Sequence, residues 1–265
     1  MGKALVLTFC FLGFTLNCFA YDIEPYSGEP NLPSQSILNL VFSPLHYQDK
    51  EVFLKDIDAL IVRLSKIKPF DEFMRNIGFY YIVLSKEEEN LIFKPTPSFP
   101  PLKVRQDFLT DISTKFKSEY KLIIIDASGS VSCAEISSPD KMSLIVLGKR
   151  RYNNDGSFAK GFLHELGHSF GLRDECVDCQ QLSSAGQPNC ASTKEEAEKW
   201  WGDLVGKEPR VNYISGCCGN KSYIRPSIAS LMNDADKAED FGPVNERYLR
   251  RVLEEGLYDE SMSQK

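Results

Sequence analysis

Eleven residues, His164-Glu165-Leu166-Gly167-His168-Ser169-Phe170-Gly171-Leu172-Arg173-Asp174, constrain this chain more than any other stretch. Only three histidines occur in the sequence, His46, His164 and His168, and two of them stand four residues apart. On an α-helix that spacing stacks the two imidazoles on one face. The helical reading is supported by an apolar stripe at Phe158, Phe162, Leu166 and Phe170, which leaves His164 and His168 nearly opposite it. A helix over about 157–170 can therefore pack one face into a core and turn the other toward a cleft. Glycine at position 171 suits the left-handed residue that ends a helix. The chain can then turn back and bring Asp174 to the two rings. Two imidazoles and a carboxylate leave one tetrahedral position open, which is the arrangement of a catalytic zinc site. Glu165 lies beside the ligands without replacing either, where a general base for water belongs. Glu175 is the rival to Asp174 as third ligand, and the spacing from Gly171 favours Asp174. One catalytic Zn2+ is expected, held by His164, His168 and Asp174.

Upstream of the motif the pattern alternates. Apolar runs at 37–43, 79–84, 122–125 and 144–147 read as strands, the last two continuous as in a sheet covered on both faces. Helical periodicity marks 49–67, with Val52, Phe53, Ile57, Leu60, Ile61 and Leu64, and a second stretch with Val104, Phe108, Leu109, Ile112 and Phe116 on one side. A more polar edge strand is expected within 130–136. The alternation implies an α/β (α+β) fold with a mixed, mostly parallel twisted sheet. Downstream the regularity lapses. Ser192-Thr193-Lys194-Glu195 reads as a capping box opening a helix through Trp200 and Trp201, a loop region follows, and a closing helix starts at Pro243.

The first twenty residues carry Lys3, an apolar run from Ala4 to Leu16 and small residues to Ala20, the composition of a secretory signal peptide. The expected organisation is a signal peptide at 1–20, an N-terminal extension at 21–36, an upper catalytic subdomain with the zinc-binding helix at 37–174, and a smaller lower subdomain at 175–265. Secretion or export to a periplasm follows, without stable membrane insertion. Six cysteines remain beyond the signal segment: Cys133, Cys176, Cys179, Cys190, Cys217 and Cys218. An even number in an exported chain suggests disulfides, with fifteen pairings possible. A structural zinc site from Cys176, Cys179, Cys190 and Cys217 is the competing reading. A net charge of −6 without a basic cluster argues against a nucleic-acid partner.

The string His164 to Asp174 resembles the signature of the metzincin metallopeptidases, HExxHxxGxx followed by His or Asp. Within that clan the chain looks most like the bacterial IgA-peptidase-type family, in which HE-x-GHSFG precedes an acidic pair. Pro69-Phe70, Trp200-Trp201 and Phe241-Gly242-Pro243-Val244 carry the likeness through most of the mature chain. The resemblance implies an exported zinc endopeptidase acting on protein or peptide substrates. It also implies a methionine turn beneath the metal, for which Ser230-Leu231-Met232-Asn233 is the match, with Met232 as a hydrophobic floor. Asp234 stands where some metzincins carry a tyrosine that stabilises the oxyanion, so Tyr213 or Tyr223 would have to serve. Two other functions share these residues: a zinc amidase acting on a non-protein amide such as a cell-wall cross-link, and a catalytically idle binding protein. Oligomeric state is not legible.

Overall fold

The computed structural model describes residues 21–26, 36–97, 101–116, 119–134, 143–152, 154–179 and 184–263, so the expected signal peptide lies outside the described residues. In chain order the elements are β1 (Asp22–Pro25), β2 (Leu38–Leu45), α1 (Lys50–Leu64), α2 (Phe70–Phe73), β3 (Ile77–Val83), α3 (Lys86–Ile92), β4 (Phe93–Pro95), β5 (Leu102–Val104) and α4 (Gln106–Lys115). They continue with β6 (Tyr120–Asp126), β7 (Cys133–Ala134), β8 (Ser143–Gly148), α5 (Asp155–Ser169), α6 (Lys194–Trp201), β9 (Ile214–Cys217), β10 (Asn220–Arg225) and α7 (Pro243–Ser263).

Among the described residues a six-stranded sheet runs in the order β1-β3-β2-β6-β8-β7. The four inner strands are parallel, and β1 and β7 close the two edges antiparallel. This is the expected mixed, mostly parallel sheet. The continuous apolar run of β6 is explained by its two faces. Leu122 and Ile124 join one core with Phe108 and Ile112 of α4, whereas Ile123 and Ile125 join another with Phe53, Ile57 and Leu60 of α1 and Phe158, Phe162 and Leu166 of α5. Period-two alternation sends neighbours to opposite sides, so both must be apolar when both sides are covered.

Several boundaries differ from the sequence reading. The first helix stops at Leu64 instead of Ile67, because α2 begins after Pro69. Val104 belongs to β5, and α4 starts only at Gln106. The extended leader contributes β1, paired with β3. Ser85 caps α3 with a reciprocal Glu88 bond, a signal present in Ser85-Lys86-Glu87-Glu88 and passed over. At α6 the N-cap is Thr193, one residue later than expected, and the reciprocal bond of Glu196 goes to the residue before the cap. Thr193 Oγ1 accepts from the Glu196 amide at 3.2 Å, and the Ser192 amide and hydroxyl donate to the Glu196 carboxylate. The expected loop after α6 contains the β9–β10 hairpin. None of the helices in the described residues is long and apolar enough to cross a membrane.

Candidate metal centre

Helix α5 opens on Asn154, whose side chain accepts from the Ser157 amide at 2.9 Å while Ser157 bonds back to the Asn154 amide. Its inner stripe is Phe158, Phe162, Leu166 and Phe170, each no more than 2% exposed. The far end closes as the sequence suggested. Gly171 takes φ +95°, its amide bonds the His168 carbonyl at 2.9 Å, and the Leu172 amide reaches the Gly167 carbonyl at 3.1 Å. These two bonds form a Schellman cap. From the sheet, the buried Lys121 Nζ donates to the Ser169 carbonyl at 3.1 Å, placing a cation at the helix C-terminus.

The turn after Gly171 brings Asp174 to the two rings. His164 Nε2 and His168 Nε2 lie 3.1 Å apart, and Asp174 Oδ1 lies 3.4 Å from the first and 3.5 Å from the second. Each Nδ1 faces a backbone carbonyl at 2.8 Å, Leu231 for His164 and Leu172 for His168. A carbonyl only accepts, so Nδ1 carries the hydrogen and Nε2 presents a lone pair. Two lone pairs and a carboxylate oxygen would repel one another at these separations unless a proton or a metal ion stood between them. Zinc–ligand bonds of ~2.0–2.1 Å at tetrahedral angles place donor atoms ~3.3–3.4 Å apart, which matches this triangle. The residues fit zinc, and the three side chains form a possible metal site.

Electrostatics follow the same geometry. Burial opposes ionisation of Asp174, yet the two imidazoles outweigh it and hold the carboxyl well below the usual carboxylate range. Burial also pulls His164 down, but Asp174 and Glu165 overcome it, and its pKa is pushed up to about 9 in the metal-free site. Glu165, 5% exposed, is raised chiefly by burial, while the charges of His164, His168 and Arg151 oppose that rise.

Met232 is fully buried beneath the helix. A Cβ on Gly167 would stand 2.6 Å from Met232 Sδ and 3.1 Å from Phe241 Cε1, so the glycine lets both approach. Glu175, the rival third ligand, turns away from the rings. Its carboxylate is completely buried and accepts from Ser230 Oγ at 2.6 Å, Asn245 Nδ2 at 2.8 Å and Asn189 Nδ2 at 2.9 Å. Burial raises its pKa, and these donors oppose the rise.

The two tyrosines considered for the oxyanion are engaged elsewhere. The Tyr213 ring packs against Trp201 under Lys194 Nζ, and Tyr223 packs against the Cys190, Cys217 and Cys218 cluster. Sequence reading did not single out Tyr152, whose hydroxyl donates to Ser132 Oγ at 2.9 Å beside the edge strand. Burial raises its phenol, and the Glu165 charge adds to that rise. Its position just before the α5 cap was the available signal. The cysteines proposed for a second zinc instead pair as disulfides, Cys176–Cys179 and Cys190–Cys217, with Cys218 Sγ 3.1 Å from Cys190 Sγ.

No protein-family model matches the chain. No curated protein matches it either. Among solved structures it is similar to archaemetzincin from Methanopyrus kandleri, with 14% identity over 83% of this chain and 97% of that chain, at a TM-score of 0.38.

Proposed function

We propose that the chain is an exported zinc-dependent endopeptidase of the metzincin type. The observation that carries this reading is the triangle of His164 Nε2, His168 Nε2 and Asp174 Oδ1, 3.1–3.5 Å on each edge, beside the buried Glu165. When bound, zinc would supply a Lewis acid for polarising a carbonyl and acidifying water. His164 and His168 would hold it through Nε2, each oriented by its Nδ1–H bond to a carbonyl. Asp174 contributes the anionic ligand, which offsets more of the ion's charge than a third imidazole would. Glu165 takes a proton from a water in the cleft and returns it to the departing amine, acting as base and then acid. Burial pushes its pKa in the direction a base needs. Met232 forms the apolar floor.

A peptide is favoured over a small amide because β7 lies at the sheet edge against α5. A strand edge of this kind offers backbone donors and acceptors to an extended chain. Two segments that carry the likeness to the bacterial IgA-peptidase-type family pack together against the motif helix. Phe70 and Phe241 meet at 6.2 Å, and Phe70 also touches Phe170 at 6.0 Å. The apolar leader at 1–20 and the two disulfides support export.

Two variants test the assignment. Glu165→Gln is expected to keep one zinc per chain by metal analysis and to lose cleavage of an unfolded protein substrate. His168→Ala is expected to lose both metal and cleavage. Wild-type cleavage rates from Glu165→Gln would refute the assigned base.

A further inference from the structure

The residues that carry Asp174 lie outside helix and sheet, so no backbone ladder holds them. Their polar groups must find partners one by one. Asn189 reaches across this stretch: its Oδ1 accepts from the Arg173 amide at 2.9 Å, and its Nδ2 donates to the Arg173 carbonyl at 2.8 Å and to Glu175 Oε1 at 2.9 Å. The Cys218 amide donates to the Asp174 carbonyl at 2.9 Å. The Glu175 amide donates to the Met232 carbonyl at 2.8 Å, and Arg225 Nη1 donates to the Glu175 carbonyl.

The Glu175 side chain is where these ties converge. Donors reach it from the 184–191 loop through Asn189, from the methionine turn through Ser230, and from α7 through Asn245. No lysine or arginine side chain bonds its carboxylate among the described residues; Arg225 bonds its main chain and acts on the carboxylate through charge alone. An apolar residue of similar volume would fill this space without the cost of burying a charge. It could not bind donors from three separate segments. Asn245 shows how strongly the carboxylate dictates its surroundings. Its amide aims Nδ2 at Glu175 and the Phe241 carbonyl, and leaves its own Oδ1 buried without a partner.

We propose that Glu175 is a positioning residue whose buried carboxylate locks the Asp174 turn to the methionine turn and α7, so that Asp174 faces the two histidine nitrogens. This deepens the metal-centre reading and rests on it. Asp174 has no side-chain partner of its own besides the two histidines among the described residues, so its aim is set by the backbone on either side. That backbone is fixed by Asn189 before it and Glu175 after it.

The test is zinc affinity, measured on the full mature chain by competition with a chromophoric chelator, alongside thermal melting of the zinc-free protein. Groups that orient a ligand typically change metal affinity or activity by roughly 10–100-fold when removed. Glu175→Ala is expected to weaken zinc binding within that range. Glu175→Gln can keep an oxygen toward the two asparagines and turn its amide to Ser230, so affinity should return to within about threefold of wild type. Ser230→Ala removes one donor only and serves if Glu175→Ala does not fold. It should weaken zinc by about two- to fivefold. At saturating zinc the loss in Glu175→Ala should fall on kcat and spare KM. A lowered melting temperature with zinc affinity within twofold of wild type in Glu175→Ala, or in Ser230→Ala if that variant stands in, would overturn the proposal. So would a Gln variant as weak as the Ala variant. If His164→Ala binds zinc as tightly as wild type, the failure lies in the metal-centre reading and not in Glu175.

Discussion

In the central sheet every residue of β6 from Lys121 to Asp126 has partners on both sides, β2 and β8, in unbroken register. Among the described residues between Gly171 and Gly242 the backbone is held differently, by one short hairpin, a helix of eight residues, two disulfides and a set of individual backbone and side-chain bonds. The first region repeats one interaction many times, and loss of any single contact is shared among neighbours. The second depends on particular residues, each tying its segment through a few individual bonds. The candidate metal centre sits on the boundary. His164 and His168 belong to a helix packed on the sheet, and Asp174 belongs to the irregular region.

Substitutions should separate the two regimes. The largest effect on stability is expected from Phe162→Ala, since the ring is fully buried between α5 and the sheet and tilts against Phe42 at 6.3 Å. A loss of about 3–5 kcal/mol in denaturant unfolding is expected, with zinc affinity of the folded fraction unchanged. Altered affinity there would show that the sheet region tunes the ligands directly. Replacing both Cys190 and Cys217 by serine should cost about 2–5 kcal/mol. Its signature should be local, with faster amide exchange at 174–179, 184–191 and 214–225 and sheet amides still protected. Uniform loss of protection would erase the distinction between the regions. The smallest effect is expected for Met232→Leu, a near volume-conserving change costing less than about 1.5 kcal/mol. Zinc affinity should stay within a few-fold of wild type, because Met232 underlies the site without contributing a ligand.

The same division governs what could be read from the chain. The β6 and β8 runs and the α5 stripe were legible because burial imposes a period on consecutive residues. His164, His168 and Asp174 come together in space, as their spacing and the Gly171 stop suggested. Glu175 could be named but not placed. Its partners Asn189, Ser230 and Asn245 lie 14, 55 and 70 residues away, and no local pattern announces such a meeting. The Cys190–Cys217 pairing, 27 residues apart, was hidden for the same reason. The β1 strand was missed because four residues paired at a sheet edge carry too little periodicity to stand out from an extended leader. At α6 the error was one of register, since serine and threonine stand side by side and either can cap.

Gly167 shows how a missing atom can organise a site. Taken alone, α5 would gain about 1 kcal/mol from alanine at that position. In the folded chain the added methyl group would meet the thioether below, and either the helix would lift or the floor would drop. His164 and the 230–233 turn are tied through a single bond to the Leu231 carbonyl, so movement of either partner strains that tie. A change that improves the isolated segment would thus disturb the fit between segments, and the weaker helix former is the one this architecture requires.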